Sequence, residues 1–190
     1  MAKRVFFSFH YQDVIDFRAN VVRNHKVTKD DNAGYFDASI WETAKKTSTL
    51  ALKRLINKEL ENTSVTVILI GSETFERPWV RYEIFRSIFV GNTVIGVHIN
   101  KIKGKDQMTK NYGNNPFEYV GLRFNADGTK VQPIEFKKVQ WGDYLEYDEY
   151  NLKSVAEKKY WGKSIKLTEW CTTHCWIKDD GFNNFESWIK

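Results

Sequence analysis

One acidic side chain, Glu83, follows a buried apolar segment at a spacing that favours a catalytic site. The segment Val65–Ile70 is continuously apolar and ends at Gly71-Ser72, which is typical of a parallel strand buried on both faces. Pro78 suits the first turn of a helix, because the N–H that proline lacks would be unpaired there anyway. Glu83 therefore lies on a helix just outside the carboxyl end of a strand, where ligands bind in open α/β sheets.

The helical period divides this second element into two faces. Polar and aromatic residues share one face: Trp79, Tyr82, Glu83 and Arg86. Aliphatic residues share the other: Val80, Ile84 and Ile88. The aliphatic face is the expected core face, and Glu83 is expected at a crevice, one turn after Trp79.

Other strand ends carry side chains that suit a ligand. A first apolar strand runs to Ser8-Phe9-His10, and a second short strand, 35–39, ends near Asp37 and Ser39 and is followed by a loop. Because the carboxyl ends of parallel strands meet at one edge of a sheet, these residues are expected near Glu83. The candidate binding residues are Ser8, Phe9, His10, Asp37, Ser39, Trp41 and Trp79.

Each candidate binding residue also fits a structural role. Ser8 and Ser39 suit turns or caps, Phe9 suits the core, and Trp41 suits a loop anchor. Trp79 fits packing beneath the site better than contact with a substrate.

A crevice with one carboxylate, small hydroxyls and flat aromatic rings suits a sugar joined to a base. Aromatic rings stack on planar ligands, and a carboxylate stabilises positive charge that develops at an anomeric carbon. Cleavage of a glycosidic bond passes through such an oxocarbenium-like state. Since only Glu83 is expected there, the leaving group should already be cationic, as nicotinamide is in NAD, so that no general acid is needed.

Several other kinds of site are disfavoured. The first strand is not followed by G-x-G-x-x-G, the dinucleotide-binding pattern, and it lacks the paired carboxylates of a phosphoreceiver domain. Gly91 and Gly96 have P-loop spacing, but Val97 stands where the lysine belongs. The group Cys171, His174 and Cys175 could seed a zinc site, yet a second ligand pair is missing and packing is favoured. No metal is therefore expected.

Helical and strand patterns alternate through the first hundred residues. Asp13 is the expected N-cap of a helix over 13–25, and Thr47 or Ser48 caps a second helix that ends near residue 62. A further buried strand covers 93–99. The alternation predicts an α/β fold with a central parallel sheet flanked by helices.

The character of the chain changes after residue 100. Residues 101–115 indicate a loop, and Asp127-Gly128 lies between alternating segments over 122–136, which predicts a β-hairpin. The stretch 143–161 has no firm assignment. The expected organisation is a single domain over 1–190, with a core of about 3–100 and a C-terminal extension, 101–190, packed on it.

Composition sets few further limits. The net charge is +5 with lysines spread along the chain, which favours a solvated surface over nucleic-acid binding. Two cysteines are too few for a disulfide framework, and no run reaches the roughly 20 apolar residues that span a bilayer. The polar start of the chain does not suggest a signal peptide, so the cytosol is the expected location.

The motifs resemble those of Toll/interleukin-1 receptor (TIR) domains. RVFFSFHYQD (4–13) is similar to the first TIR motif, and 65–84 is similar to the segment in which a strand leads to a serine, a tryptophan and a glutamate. The resemblance implies a flavodoxin-like fold and makes Glu83 the catalytic residue for NAD cleavage. It places Phe9 and His10 along the nicotinamide site and matches Asp37 to the acid at the end of strand two.

A narrower resemblance extends over more of the chain. ALKRLIN, NTSVTVILIGSETF, WVRYEI, NPF and the terminal DDGFNNFESWIK are similar to the TIR-like proteins of bacterial Thoeris antiphage systems. This implies a cytoplasmic ADP-ribosyl cyclase type of NADase, with NAD as substrate and no cofactor. Its cyclic ADP-ribose isomer would activate a partner NADase effector of the ThsA type after an unidentified phage trigger. A homo-oligomer is left open, and no membrane is implied.

Two other functions remain open. The chain could be a non-catalytic adaptor that acts through TIR–TIR assembly, or a sensor that binds a nucleotide without converting it. For the enzyme, cyclisation requires that water be kept out, and the aromatic residues after position 100 could form the lid.

Overall fold

The described chain divides into two units. A parallel sheet lies at the centre of the first unit, which contains residues up to 114 and residues 172–190. The computed structural model describes residues 4–26 and 48–190. Within them the sheet has the strand order β1-β2-β3-β9, and every neighbouring pair is parallel. Its strands are β1 Val5–Phe9, β2 Val65–Ile70, β3 Thr93–His98 and β9 Thr173–Cys175. With the helices on its faces, this confirms the predicted α/β class.

The bounds of the helices are α1 Tyr11–Ile15, α2 Arg18–Arg23, α3 Thr49–Leu60, α4 Pro78–Val90 and α5 Gly181–Trp188. Two of the helices, α3 and α4, begin and end close to their sequence signals. The Ser48 hydroxyl accepts a hydrogen bond from the Ala51 N–H at 3.1 Å and so caps α3. Pro78 opens α4, and Gly91 ends it with φ 91°, a conformation that glycine adopts without a steric penalty.

The predicted helix over 13–25 is wrong in its form. Phe17 has φ 65° and separates α1 from α2, so the chain turns between two short helices. His10, and not Asp13, precedes the first helical residue. Asp13 lies inside α1 and is buried. The helical period gives no signal for this break, because it depends on the backbone of a single residue.

The helices that follow β1 and β2 lie on opposite faces of the sheet. Ala19 and Val22 of α2 belong to one buried cluster with Phe7 and Leu69, and α5 adds Phe185 to it. α4 covers the other face, where the Thr66 hydroxyl donates a hydrogen bond to Ser87 at 2.8 Å. Neighbouring parallel strands whose connections leave on opposite sides form a topological switch point, so a crevice opens at their carboxyl ends.

The loop after β3 is held to α2 by a buried arginine. Arg18 is 1% exposed. Its guanidinium donates hydrogen bonds to the carbonyls of Ile102 at 3.0 Å and Met108 at 2.7 Å, and to the carboxylate of Asp16 at 2.9 Å. The Lys110 ammonium also pairs with Asp16. This loop therefore has a fixed path along the carboxyl edge of the sheet.

The second unit, residues 115–171, is built on an antiparallel sheet. Its strands are β4 Val120–Phe124, β5 Lys130–Lys137, β6 Gln140–Asp143, β7 Tyr150–Asn151 and β8 Ser164–Lys166. β4 and β5 pair antiparallel on either side of Asp127-Gly128, which confirms the predicted hairpin. The unassigned stretch 143–161 contains β7 and a short 3-10 helix, Lys158–Tyr160.

Residues near the C-terminus complete the parallel sheet. β9 pairs with β3 in register Val97 with His174 and His98 with Cys175. Residues 172–190 therefore fold with the first unit, together with residues up to 114. The sequence analysis did not identify this strand, because three residues are too few for a period. The packing of the whole extension on the core stays a prediction. No helix in the described ranges is long and apolar enough to cross a membrane.

The buried arginine gives the first testable expectation. Arg18→Met removes the guanidinium from two backbone carbonyls and from the carboxylates of Asp16 and Asp106, which should lower the free energy of unfolding by about 3 kcal/mol or more. Urea denaturation measures this. Arg77→Met, whose pair with Glu73 is exposed to solvent, is the control and should cost less than about 1 kcal/mol. Equal losses would show that Arg18 does not anchor the loop.

Candidate active site

Glu83 lies at the switch point, bonded to the end of the first strand. α4 places its side chain over the sheet face that β1 presents through Ser8, and the Ser8 hydroxyl donates a hydrogen bond to Oε2 of Glu83. Glu83 is 5% exposed and Ser8 is 1% exposed. The structure therefore brings together two residues 75 positions apart in the chain that the sequence analysis had placed in one site.

Burial controls the ionisation of Glu83. Loss of hydration raises the pKa of its carboxyl to about 8, because an apolar environment disfavours the charged form. The hydrogen bond from Ser8 acts in the opposite direction and lowers the pKa. A carboxyl with a raised pKa in the crevice of an α/β sheet is a candidate for a catalytic group.

Val80 and Ile84 of the predicted core face are buried, and Ile88 is half-buried, but the other face of α4 is also buried over much of its length. Buried positions run from Val80 through Phe85 and include Glu83. One side packs on the sheet, and another faces α3, where the Tyr82 hydroxyl donates a hydrogen bond to Asn57 at 3.2 Å. The helix is a central element of the unit, so its polar residues also enter the interior.

Trp79 lies beside Tyr82 and is half-buried. The two rings meet edge to face with centroids 5.9 Å apart. Because Tyr82 is bonded to α3, this contact directs Trp79 toward the packing between helices. The geometry agrees with a supporting position, and contact with a substrate stays a prediction.

Phe9 and Ser8 point to opposite faces of the sheet. Phe9 packs against the cluster on the α2 side, and the Arg23 guanidinium lies 4.9 Å from its ring centroid. The structure does not bring Phe9 to the face that holds Glu83. His10 precedes α1, is half-buried, and its carbonyl accepts a hydrogen bond from the Asp13 N–H at 2.9 Å. Substrate contact by either residue stays a prediction.

Three of the predicted binding residues cannot be placed against Glu83. Asp37, Ser39 and Trp41 lie outside the described residues. Their assignment to the site remains an expectation from the sequence.

A second buried carboxylate, Asp13, lies at the same edge of the sheet. The sequence predicted only a helix cap at this residue and no role in the site. Asp13 is 3% exposed and lies directly against Gly71, the first residue after β2. A β-carbon added at Gly71 would collide with the Asp13 carboxylate. One added at Gly113 would collide with the Gly71 carbonyl. Gly113 therefore needs to be glycine because the obstacle is backbone, whereas a side chain at Gly71 would have to displace the Asp13 carboxylate. The sequence alone gives no signal that links Asp13 to these glycines.

The charges around Asp13 are mixed. Burial raises its pKa to about 6; Lys110 and Arg18 lower it, while Asp16 and Glu73 raise it further. Oδ2 of Asp13 has no hydrogen-bond partner among the residues that the structure describes. A buried carboxylate oxygen without a donor is costly, since it has lost its water without gaining a replacement.

The cysteines and histidine near the C-terminus serve packing. His174 stacks on Trp188 with centroids 4.3 Å apart, and Cys175 is buried next to the Tyr112 hydroxyl at 3.2 Å. Burial raises the pKa of the Cys171 thiol to about 12. Within residues 4–26 and 48–190, no group of three His, Cys, Asp or Glu side chains is arranged to hold a metal ion.

Comparison with known proteins agrees with this geometry. The family described as "Thoeris protein ThsB, TIR-like domain" matches residues 6–104. A protein of Bacillus cereus (strain MSX-D12), named "Putative cyclic ADP-D-ribose synthase ThsB1", is 53% identical over 192 residues and is covered fully, as is this chain. The match to the family contains β1 from its second residue, β2, α4, Asp13 and Glu83.

The raised pKa of Glu83 predicts a pH-dependent cost to stability. Between pH 4.5 and about 8 the glutamate is ionised when unfolded but retains its proton when folded, so stability falls as pH rises through this window. Glu83→Gln removes the cost. The free energy of unfolding of the variant minus that of the wild type should therefore be larger at pH 8 than at pH 5. This difference should grow by up to about 1.4 kcal/mol per pH unit.

Urea denaturation at the two pH values measures the difference. Glu76→Gln, at an exposed glutamate shortly before α4, is the matched control and should show no such change. A stability difference between Glu83→Gln and wild type that is the same at both pH values would contradict the raised pKa.

Proposed function

Because the chain belongs to the Thoeris ThsB family with a TIR-like domain, we propose that it cleaves NAD to nicotinamide and a cyclic ADP-ribose isomer. Glu83 is the catalytic carboxylate in this proposal. The observation that carries it is the buried Glu83–Ser8 pair at the switch point between β1 and β2.

The chemistry requires a carboxylate at the anomeric carbon. When the bond to nicotinamide breaks, its electron pair stays with the nicotinamide ring, which leaves neutral, and positive charge develops on the ribose. A carboxylate in a dry environment stabilises that charge far better than one in water, because the surroundings screen it less. Ser8 fixes the position of the Glu83 carboxyl before the reaction begins.

The raised pKa of Glu83 fits a site that becomes charged when substrate binds. In the empty protein the carboxyl is largely protonated at neutral pH. The cationic nicotinamide ring of NAD, and then the ribosyl cation, favour the ionised form and draw the pKa down. The negative charge is thus available when the substrate is present.

Access to Glu83 requires movement. A side chain that is 5% exposed cannot contact a molecule as large as NAD unless its neighbours are displaced. This supports a protein that is inactive until a phage component acts on it. The cyclic product would then activate a ThsA-type effector. The name of the Bacillus cereus relative, a cyclic ADP-D-ribose synthase, supports cyclisation over simple hydrolysis.

A non-catalytic adaptor explains the buried carboxyl less well. An assembly surface works through exposed residues, whereas Glu83 and Ser8 lie inside the fold. A buried carboxyl with a raised pKa lowers stability at neutral pH. Catalysis would use the buried charge to stabilise a cation, whereas assembly through the surface would not use it.

Infection experiments test the proposal. Cells that express the wild-type chain should accumulate a cyclic ADP-ribose isomer and free nicotinamide after phage infection, as measured by mass spectrometry of small-molecule lysates. Glu83→Gln keeps the shape of the side chain but not its charge, and should lower both products by at least about a hundredfold. Product formation by Glu83→Gln at the wild-type level would refute the catalytic role.

Substitution of Ser8 should shift the pH dependence of the same reaction. Ser8→Ala removes the hydrogen bond that lowers the pKa of Glu83, so nicotinamide release should need a higher pH than in the wild type. The readout is the rate of release in lysates of infected cells buffered from pH 6 to pH 9. The control is Ser72→Ala, at an exposed serine after β2. A loss of rate without any shift along the pH axis would contradict this role of Ser8.

A further inference from the structure

Asp13 occupies the switch point from the side opposite to Glu83. It follows β1, whose next helices pack on one face of the sheet, and its carboxylate lies against Gly71 at the end of β2. Glu83 reaches Ser8 of β1 from α4 on the other face. The two carboxyl groups therefore approach the crevice between β1 and β2 from its two walls.

The surroundings of Asp13 fix its position but leave one of its carboxylate oxygens without a hydrogen-bond donor among the described residues. Gly71 and Gly113 leave no room for a β-carbon, so the carboxylate, the Gly71 backbone and the loop after β3 are tightly packed. Lys110 and Arg18, which act on Asp13 electrostatically, are engaged with Asp16. Oδ2 is buried and accepts no hydrogen bond from the described residues. A ligand hydroxyl would supply the missing donor.

We infer that Asp13 is a second carboxylate of the site and acts as a general base, accepting the proton of the hydroxyl group that closes the ring of the product. This rests on the proposed cleavage of NAD. Glu83 alone accounts for the departure of nicotinamide, but ring closure through a hydroxyl oxygen also releases a proton, which needs an acceptor. Among the residues that the structure describes, Asp13 is the other buried carboxylate at this edge, and its Oδ2, which accepts no hydrogen bond from them, is the acceptor.

The step balances without any further reactant. The bond between the anomeric carbon and nicotinamide breaks, and its electron pair goes to the nicotinamide nitrogen. A hydroxyl oxygen of the same ADP-ribosyl cation then forms a bond to the anomeric carbon. The hydroxyl proton passes to Oδ2 of Asp13 and from there to solvent. A carboxyl whose pKa is about 6 is ionised at neutral pH and can take up and release a proton.

The ratio of cyclic product to nicotinamide tests the inference. In lysates of phage-infected cells, Asp13→Asn should keep nicotinamide release within about threefold of the wild type, while the ratio falls about tenfold or more and linear ADP-ribose increases. Asparagine matches aspartate in shape and removes a buried charge, so the variant should fold. Glu76→Gln, at an exposed glutamate shortly before α4, is the control and should leave the ratio unchanged.

A second variant displaces the carboxylate without removing it. The β-carbon of Gly71→Ala would occupy the position of the Asp13 carboxylate, so this variant should also lower the product ratio. In the wild type the ratio should rise with pH through about 6, where Asp13 ionises among Lys110, Arg18, Asp16 and Glu73. In Asp13→Asn it should be flat.

The possible failures are distinguishable. If the ratio is unchanged in Asp13→Asn, or if nicotinamide and cyclic product fall in parallel, Asp13 has only a structural role and the inference is wrong, while Glu83→Gln still abolishes both products. If the wild type releases no nicotinamide, or if Glu83→Gln has no effect, the proposed function itself is wrong, and the role of Asp13 falls with it.

Discussion

The burial of one carboxyl group governs the chemistry of this fold. Glu83 is buried between α4 and the sheet, and the Ser8 hydroxyl donates a hydrogen bond to its carboxyl group. A glutamate in such a place costs stability as soon as the pH exceeds its usual pKa. The same desolvation makes its charge effective toward a cation that forms beside it. Stability and activity are therefore set by one interaction in opposite senses.

The switch point explains why this carboxyl is where it is. β1 and β2 are neighbours, and the helices that follow them leave on opposite faces. The hydrogen bonds of the sheet hold Ser8 next to Ile68, and α4 starts only a few residues after β2. Glu83, one and a half turns into α4, then lies above Ser8. The arrangement follows from the order of the elements along the chain, since Ser8 lies on a strand and Glu83 lies on a helix.

Much of this could be predicted from the sequence, because the strong signals are local. The apolar run Val65–Ile70, Pro78 and Gly91 determine β2 and the ends of α4, and Asp127-Gly128 determines the hairpin. The pairing of Ser8 with Glu83 followed from the α/β order and from the resemblance to TIR domains. These features depend on backbone preferences or on topology, which a single sequence expresses well.

The remaining features depend on contacts between distant residues. The break at Phe17 is a matter of one backbone angle, and β9 is too short for its period to be seen. In the sequence, Asp13 has the pattern of a helix cap. Its place at the edge of the sheet is known only from its contact with Gly71, 58 positions later. The direction of Phe9, away from Glu83, follows from the alternation along β1 once the two faces of the sheet are known.

The most direct test of this account is a titration of the Glu83 carboxyl itself. Carbon-detected NMR of glutamate-labelled protein, with Glu83→Gln used to assign the signal, reports its ionisation in the free protein. We predict a midpoint of about 8. A midpoint near 4.5 would contradict this, because Glu83 would then be an ordinary hydrated side chain.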